Sequence, residues 1–182
     1  MTLADDGRFP ELGPVMVSAA ELADIVGRLG ARIAEDYAGL NPLMVGVLRG
    51  AFVFMADLAR AIPMSVEVDF MAVSSYGHAT ESSGVVRIIK DLDTDISDRH
   101  VILVDEIIDS GLTMNYVRRL LADRGASSVE VCALLIRESL SHVDTSTLRY
   151  FGRTIPADWV VGYGLDAGQR WRNLPDVHFW RG

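Results

Sequence analysis

The residues best suited to do chemistry lie in one run, Val101 to Thr113, with the sequence VILVDEIIDSGLT. Four apolar residues, read as a buried strand over Val101–Val104, deliver two consecutive acids, Asp105 and Glu106. The spacing predicts a loop over Asp105–Gly111 and a helix over Thr113–Arg124, with Met114, Val117, Leu120 and Leu121 inward. Across Asp109, Ser110, Gly111, Leu112 and Thr113 the backbone amides can converge on one point, and Gly111 permits the positive φ that such a nest needs. The Ser110 and Thr113 hydroxyls add donors, and the start of the helix favours an anion. The run therefore reads as a phosphate cradle without the lysine of a Walker loop. Ionised carboxylates only accept hydrogen bonds. Asp105 and Glu106 beside the cradle suit the diol of a ribose or the water shell of Mg²⁺. A turn after a strand often holds Asp, Ser and Gly for conformational reasons alone; the double acid after a buried strand sets this run apart.

The elements around it must place these groups at one edge of a sheet. Leu43–Leu48 (LMVGVL) is a short apolar run and reads as a second buried strand. Ala51–Ile62 reads as a mostly apolar helix ended by Pro63. Ser18 and Glu21 form a capping box, followed by Leu22, Ile25, Val26, Leu29, Ile33 and Tyr37 at helical spacing and a stop at Asn41-Pro42. Ser65–Val73 alternates, with Val66, Val68, Phe70 and Ala72 expected on the buried face and Glu67 and Asp69 on the other. Residues 74–84 read as a long mobile loop, with Val85–Ile89 as the return strand of a hairpin. Val129–Ile136 and Trp159–Tyr163 complete the strands. Apolar strands alternating with helices indicate an α/β domain with a largely parallel sheet, whose ligands gather at the carboxyl ends of the strands.

Composition narrows the classes. At 182 residues the chain is expected to be a single domain, with 1–14 as a flexible arm and about 150–182 as a small C-terminal unit. One cysteine, Cys132, excludes an internal disulfide framework and any paired-cysteine zinc knuckle, and the four histidines lack metal-ligand spacing. The net charge of −8 argues against nucleic acid or an anionic membrane as partner. The N-terminus lacks the apolar core of a secretory signal, so the expected location is the cytoplasm. Of 17 basic residues only Lys90 is lysine, and arginine suits bidentate capture of phosphate and carboxylate.

The 101–113 run resembles the phosphoribosyl-pyrophosphate (PRPP) signature of the type I phosphoribosyltransferases. Leu48-Arg49-Gly50 resembles the family's pyrophosphate loop, and Ser74-Ser75-Tyr76-Gly77 the start of its mobile catalytic loop. Lys90-Asp91-Leu92-Asp93 sits where the family carries a similar run. Trp159 to Asp166 (WVVGYGLD) and Arg172-Asn173-Leu174-Pro175 resemble its base-binding hood. Together these are similar to the hypoxanthine/guanine phosphoribosyltransferases over about residues 15–178.

The resemblance implies the type I fold: a largely parallel twisted sheet flanked by helices, with a small C-terminal hood and a long mobile hairpin loop. It implies Mg²⁺-dependent transfer of the phosphoribosyl group of PRPP to hypoxanthine or guanine, by a homodimer or homotetramer. By the same resemblance Asp109 handles a proton at purine N7, and Asp105 and Glu106 hold the ribose diol, in an order the reverse of the family's usual Glu-Asp. Asp109 to Thr113 hold the 5′-phosphate. Leu48, Arg49, Gly50, Ser75, Tyr76 and Arg172 meet pyrophosphate, and the Leu48–Arg49 peptide is expected to be cis. Asp166 matches the family's carboxylate for a Mg²⁺ ion bound with pyrophosphate. Trp159 and Ile107 flank the base, backbone around Val160 reads its edge, and Arg137 stands where a lysine commonly donates to the purine 6-oxygen. Arg49 likewise replaces a frequent lysine, and Ala167-Gly168 lacks an aromatic often found after the aspartate. Two other readings stay open on sequence alone: a nucleotide-sensing regulator and a non-catalytic nucleotide binder on the same fold.

Overall fold

The computed structural model describes residues 9–75, 86–138 and 148–182, with the side chains of all of these except Ser75 and Val86. In chain order the elements are β1 (Leu12–Val17), α1 (Ala19–Asp36), β2 (Leu43–Leu48), α2 (Phe52–Ala61), β3 (Glu67–Ser75), β4 (Val86–Lys90), β5 (His100–Ile108), α3 (Leu112–Asp123), β6 (Ser128–Arg137), β7 (Tyr150–Ile155), β8 (Val160–Val161) and β9 (Val177–Trp180). Six strands form one sheet in the order β4-β3-β2-β5-β6-β7, all parallel except the β3–β4 pair. The α/β architecture expected from the alternating runs is the one found.

Two apolar layers enclose this sheet. On one face Leu22, Ile25, Leu29 and Ile33 of α1 and Phe54, Met55 and Leu58 of α2 pack on Met44, Ile102, Val104 and Leu134. On the other, Met114, Val117 and Leu121 of α3 pack on Val45, Leu103, Val131 and Ala133. Buried on both faces, β2 and β5 read as near-continuous apolar runs. The Ser18–Glu21 capping box is present, with both of its reciprocal bonds. Cys132 is fully buried, and burial pushes its thiol well above the usual range, as expected of inert packing.

Four expectations need correction. First, β5 continues through Asp105 and Glu106 to Ile108, where a loop was expected. β6 supplies partners along the extension, pairing Asp105 with Ala133, Ile107 with Leu135 and Ile108 with Ile136, whereas pairing with β2 ends at Val104. The acids are therefore held on a strand paired on one side only. Second, residues 12–14 of the expected arm belong to β1, which pairs with β9 in a small antiparallel sheet of order β1-β9-β8. His178 is buried there, its Nδ1 3.2 Å from the Gly13 carbonyl oxygen. Third, β7 is an edge strand of the large sheet and not part of the small unit. Of its six residues only Tyr150 and Ile155 are buried, which leaves no apolar run to mark it. Fourth, β3 is covered on both faces rather than one: Val66 and Phe70 pack partly buried on the expected face, although Val68 is 45% exposed, while Asp69 and Met71 are buried on the face expected to be polar.

Asp69 tolerates burial because it is saturated. Its carboxylate accepts from the amides of Phe70 at 2.7 Å, Asp93 at 2.9 Å and Thr94 at 2.9 Å. Lys90, whose Nζ donates to the Phe70 and Asp91 carbonyls and to Asp93, stands 3.8 Å away. Burial alone would raise the Asp69 carboxyl, but these amide donors hold it below its ordinary value. Asp69→Asn puts an amide donor against amide donors and is expected to cost about 1–3 kcal/mol at pH 7 by urea denaturation. With its folded pKa lowered, the carboxylate stabilises fully above its unfolded value of about 3.9 and loses that contribution as pH falls through the folded value. The gap between wild type and variant is therefore expected to narrow in acid; a gap unchanged from pH 7 to pH 3 contradicts the assignment.

Candidate functional site

At the carboxyl end of β5 the chain turns through Asp109 and Ser110 into Gly111, whose φ of 76° starts α3. Gly111 has no side chain with which to cap that helix, and the Leu112 amide donates to the Ser110 hydroxyl at a long 3.5 Å. The amides of the first turn are thus presented to a cavity of about 180 Å³, lined by Asp105 to Gly111, Thr113 and Met114. Anions bind at such helix starts because the unpaired N–H groups and the helix dipole act together. A larger cavity of about 520 Å³ lies between α1, α2 and the Arg172–Pro175 segment, and its lining is mainly apolar.

Asp105 and Glu106 form the floor of the site. Burial and the adjacent Glu106 raise the Asp105 carboxyl well above the ordinary range, and burial likewise raises that of Glu106. The Glu106 amide donates to Asp105 Oδ1 at 3.1 Å, while Glu106 Oε2 is buried without a hydrogen-bond partner. Two crowded carboxyl groups, one holding an orphan oxygen, call for hydroxyl donors or a cation. The site fits Mg²⁺ in that respect. Among the described residues no three Asp, Glu, His or Cys side chains form a metal cage.

Glu106 lies against the turn after β2. A Cβ on Gly50 would overlap the Glu106 carboxylate, and a Cβ on Gly164 would overlap the Gly50 carbonyl oxygen. Gly164 also has φ of 101°, a region that favours glycine. The 48–50 turn is therefore packed between the β5 acid and the 162–164 turn, and its Leu48–Arg49 peptide is cis, as expected.

Two arginines converge from the far side. Arg172 Nη2 meets Asp166 Oδ1 at 2.6 Å, and its Nη1 donates to the Gly164 carbonyl at 2.7 Å. Arg49 Nη1 donates to Gln169 Oε1 at 2.9 Å. Arg137, at the end of β6, reaches across to Asp109, its Nε 3.2 Å from Oδ1. Its Nη1 donates to the carbonyls of Pro156, at 2.8 Å, and Asp158. Arg137 is thereby fixed with its side chain only 11% exposed, whereas that of Asp109 is 80% exposed.

The structure brings Asp105, Glu106, Ile107, Asp109, Ser110, Gly111 and Thr113 to one cavity, with Arg137 bonded to it through Asp109. Leu112 opens α3 with its side chain 38% exposed. Leu48, Arg49, Gly50, Asp166 and Arg172 form an adjoining cluster reached through Glu106. Trp159 is 64% exposed and precedes the buried Val160. Ser75 ends β3, and Tyr76 lies outside the described residues. Sequence reasoning missed Gln169, which joins Arg49 to Arg172; only proximity in the fold reveals it.

Residues 18–167 match the model of the phosphoribosyl transferase domain. The hypoxanthine-guanine phosphoribosyltransferase of Mycobacterium tuberculosis is 45% identical over 179 residues, covering 92% of this chain and 88% of the relative. The enzyme of the same name from Bacillus subtilis is 44% identical over 167 residues and covers 92% of each chain. A crystal structure of a hypoxanthine phosphoribosyltransferase from Staphylococcus aureus superimposes with a TM-score of 0.90 at 35% identity, over 97% of this chain and 96% of the other. The chain belongs to the hypoxanthine-guanine phosphoribosyltransferase family. Its fold is the family's, including the mostly parallel sheet with helices on both faces.

The contact between Gly50 and Glu106 allows a direct test within this phosphoribosyltransferase fold. Gly50→Ala is expected to destabilise by about 1–3 kcal/mol, as overpacking does. In the Glu106→Ala background most of that cost is expected to vanish, because the obstructing carboxylate is gone. Additive costs in a double-mutant cycle by denaturant unfolding contradict the contact.

Proposed function

We propose that the protein transfers the phosphoribosyl group of PRPP to hypoxanthine or guanine, releasing pyrophosphate and forming IMP or GMP. The observation that carries this reading is the joining, on one strand end, of a crowded acid pair and a helix start preceded by glycine, whose first-turn amides face the same cavity. A ribose 5-phosphate has complementary groups for both. Its diol hydroxyls donate to Asp105 and Glu106, and its phosphate accepts from the amides of Ser110 to Thr113 and the two hydroxyls.

The base lies beside Asp109 and Arg137 in this reading. Attack by purine N9 on the anomeric carbon breaks the bond to pyrophosphate through an oxocarbenium-like transition state, so most of the catalysis is positioning and charge placement. Asp109 accepts the N7 proton as the base becomes positive during attack. The Arg137 nitrogen not engaged by Asp109, Pro156 or Asp158 is Nη2, and it donates to the 6-oxygen. Ile107 and Trp159 bracket the ring faces, and backbone near Val160 meets the base edge. Leu48, Arg49, Gly50 and Arg172 receive pyrophosphate, and Ser75 and Tyr76 cover the reacting centre to exclude water. Asp166 is the residue that would hold Mg²⁺, with Asp105 and Glu106 suited to its water shell. The ion would neutralise charge on the departing pyrophosphate.

The protein is proposed to work in the cytoplasm as a homodimer or homotetramer. No helix among the described residues is long and apolar enough to cross a membrane.

Assay of hypoxanthine, guanine, xanthine and adenine with PRPP and Mg²⁺ tests the reading. Turnover of hypoxanthine or guanine with release of pyrophosphate is expected. Adenine, which offers a donor where the site donates, is expected to be at least about 100-fold poorer in kcat/KM. Adenine as the best substrate overturns the base assignment. Asp109→Ala is expected to lower kcat by about 10²–10⁴-fold while the affinity for IMP changes far less. Unchanged kcat removes Asp109 from proton handling.

A further inference from the structure

Gln169 occupies the position between the two arginines assigned above to pyrophosphate. Its Oε1 accepts from Arg49 Nη1 at 2.9 Å and from Arg172 Nη2 at 3.2 Å. The Gln169 amide donates to Asp166 Oδ2 at 2.7 Å, and the other oxygen of Asp166 pairs with Arg172. Gln169 is exposed, at the tip of a turn closed by the bridge between Ala167 and Arg170. Its φ of 68° is left-handed, which a non-glycine residue adopts at a cost. The surrounding bonds hold the backbone in this state, with the carboxamide directed back at the 48–50 turn.

A carboxamide oxygen between two guanidinium groups satisfies donors without neutralising charge. It keeps two like charges in place and leaves the pair net positive. An anionic oxygen is the stronger acceptor for both, since hydrogen bonds with an ionised partner at each end are shorter and stronger. The side chain can rotate away without disturbing the amide bond to Asp166.

We infer that Gln169 is a neutral place-holder for a pyrophosphate oxygen, one that occupies donors of Arg49 and Arg172 in the free enzyme and yields to the pyrophosphate group. This rests on the assignment of that group to Arg49 and Arg172 in the proposed function. Neutrality is what matters at this position. A carboxylate here would pair with both arginines and compete with the incoming anion. Loss of the side chain would remove the competitor: Arg172 stays anchored by Asp166 and the Gly164 carbonyl, and Arg49 is freed to meet the incoming anion.

The test is calorimetric titration of pyrophosphate, in the presence of Mg²⁺, into wild type, Gln169→Glu and Gln169→Gly. Glycine is chosen because it adopts φ near 68° without strain. Gln169→Glu is expected to weaken pyrophosphate binding by about tenfold at low ionic strength, less at high salt. Gln169→Gly is expected to bind as tightly as wild type or more tightly. IMP, titrated in parallel, is expected to bind all three alike, which separates this role from a loss of folding. A glutamate variant within about threefold of wild type, or a glycine variant more than about threefold weaker, overturns the inference. Wild type that binds IMP but not pyrophosphate overturns the location of the pyrophosphate site. Wild type that binds neither overturns the functional reading beneath it.

Discussion

Two adjoining carboxyl groups, buried at the end of the central strand of a parallel sheet, dominate this molecule. Burial disfavours their charged forms and leaves Glu106 Oε2 without a partner. A buried oxygen left unbonded is costly, and a ligand hydroxyl or a cation would complete it. The surrounding features accommodate this arrangement. β6 extends to support the acids on one side, β2 ends early on the other, and glycine at 50 leaves space for the Glu106 carboxylate. The close approach of Gly164 to the Gly50 carbonyl then ties the C-terminal turn to the same acid.

Charge is arranged locally against a net of −8. Arg137 pairs with Asp109 and Arg172 with Asp166, while Arg49 reaches only a neutral amide. Each pair holds a donor where a substrate group is proposed to bind. The acidic surface and the arginine-bearing site can therefore coexist: the site needs a few fixed donors, not a basic face.

Much of the architecture was legible where local pattern and tertiary role agree. Leu43–Leu48 is a strand at those bounds because both of its faces are buried, so every residue is apolar. Ser18 and Glu21 marked the start of α1 because capping is a short-range exchange of bonds. The turn at Asp109–Thr113 was legible because glycine is needed at the left-handed position. The missed elements depend on partners far along the chain. β1 is ordered by β9, more than 150 residues away, and β7 carries a glycine and an arginine in its interior. Asp69 looked like a solvent-facing acid because alternation does not reveal the distant amides of Asp93 and Thr94 that satisfy it. Gln169 shows no motif at all; its meaning comes from two arginines at positions 49 and 172.

A crystal structure with bound IMP tests the central claim most directly. The account requires the 5′-phosphate within hydrogen-bond distance of the amides from Ser110 to Thr113, with the ribose hydroxyls on Asp105 and Glu106. A nucleotide seated elsewhere, such as in the apolar cavity between α1 and α2, with the turn at Asp109 making no contact to it, contradicts the account.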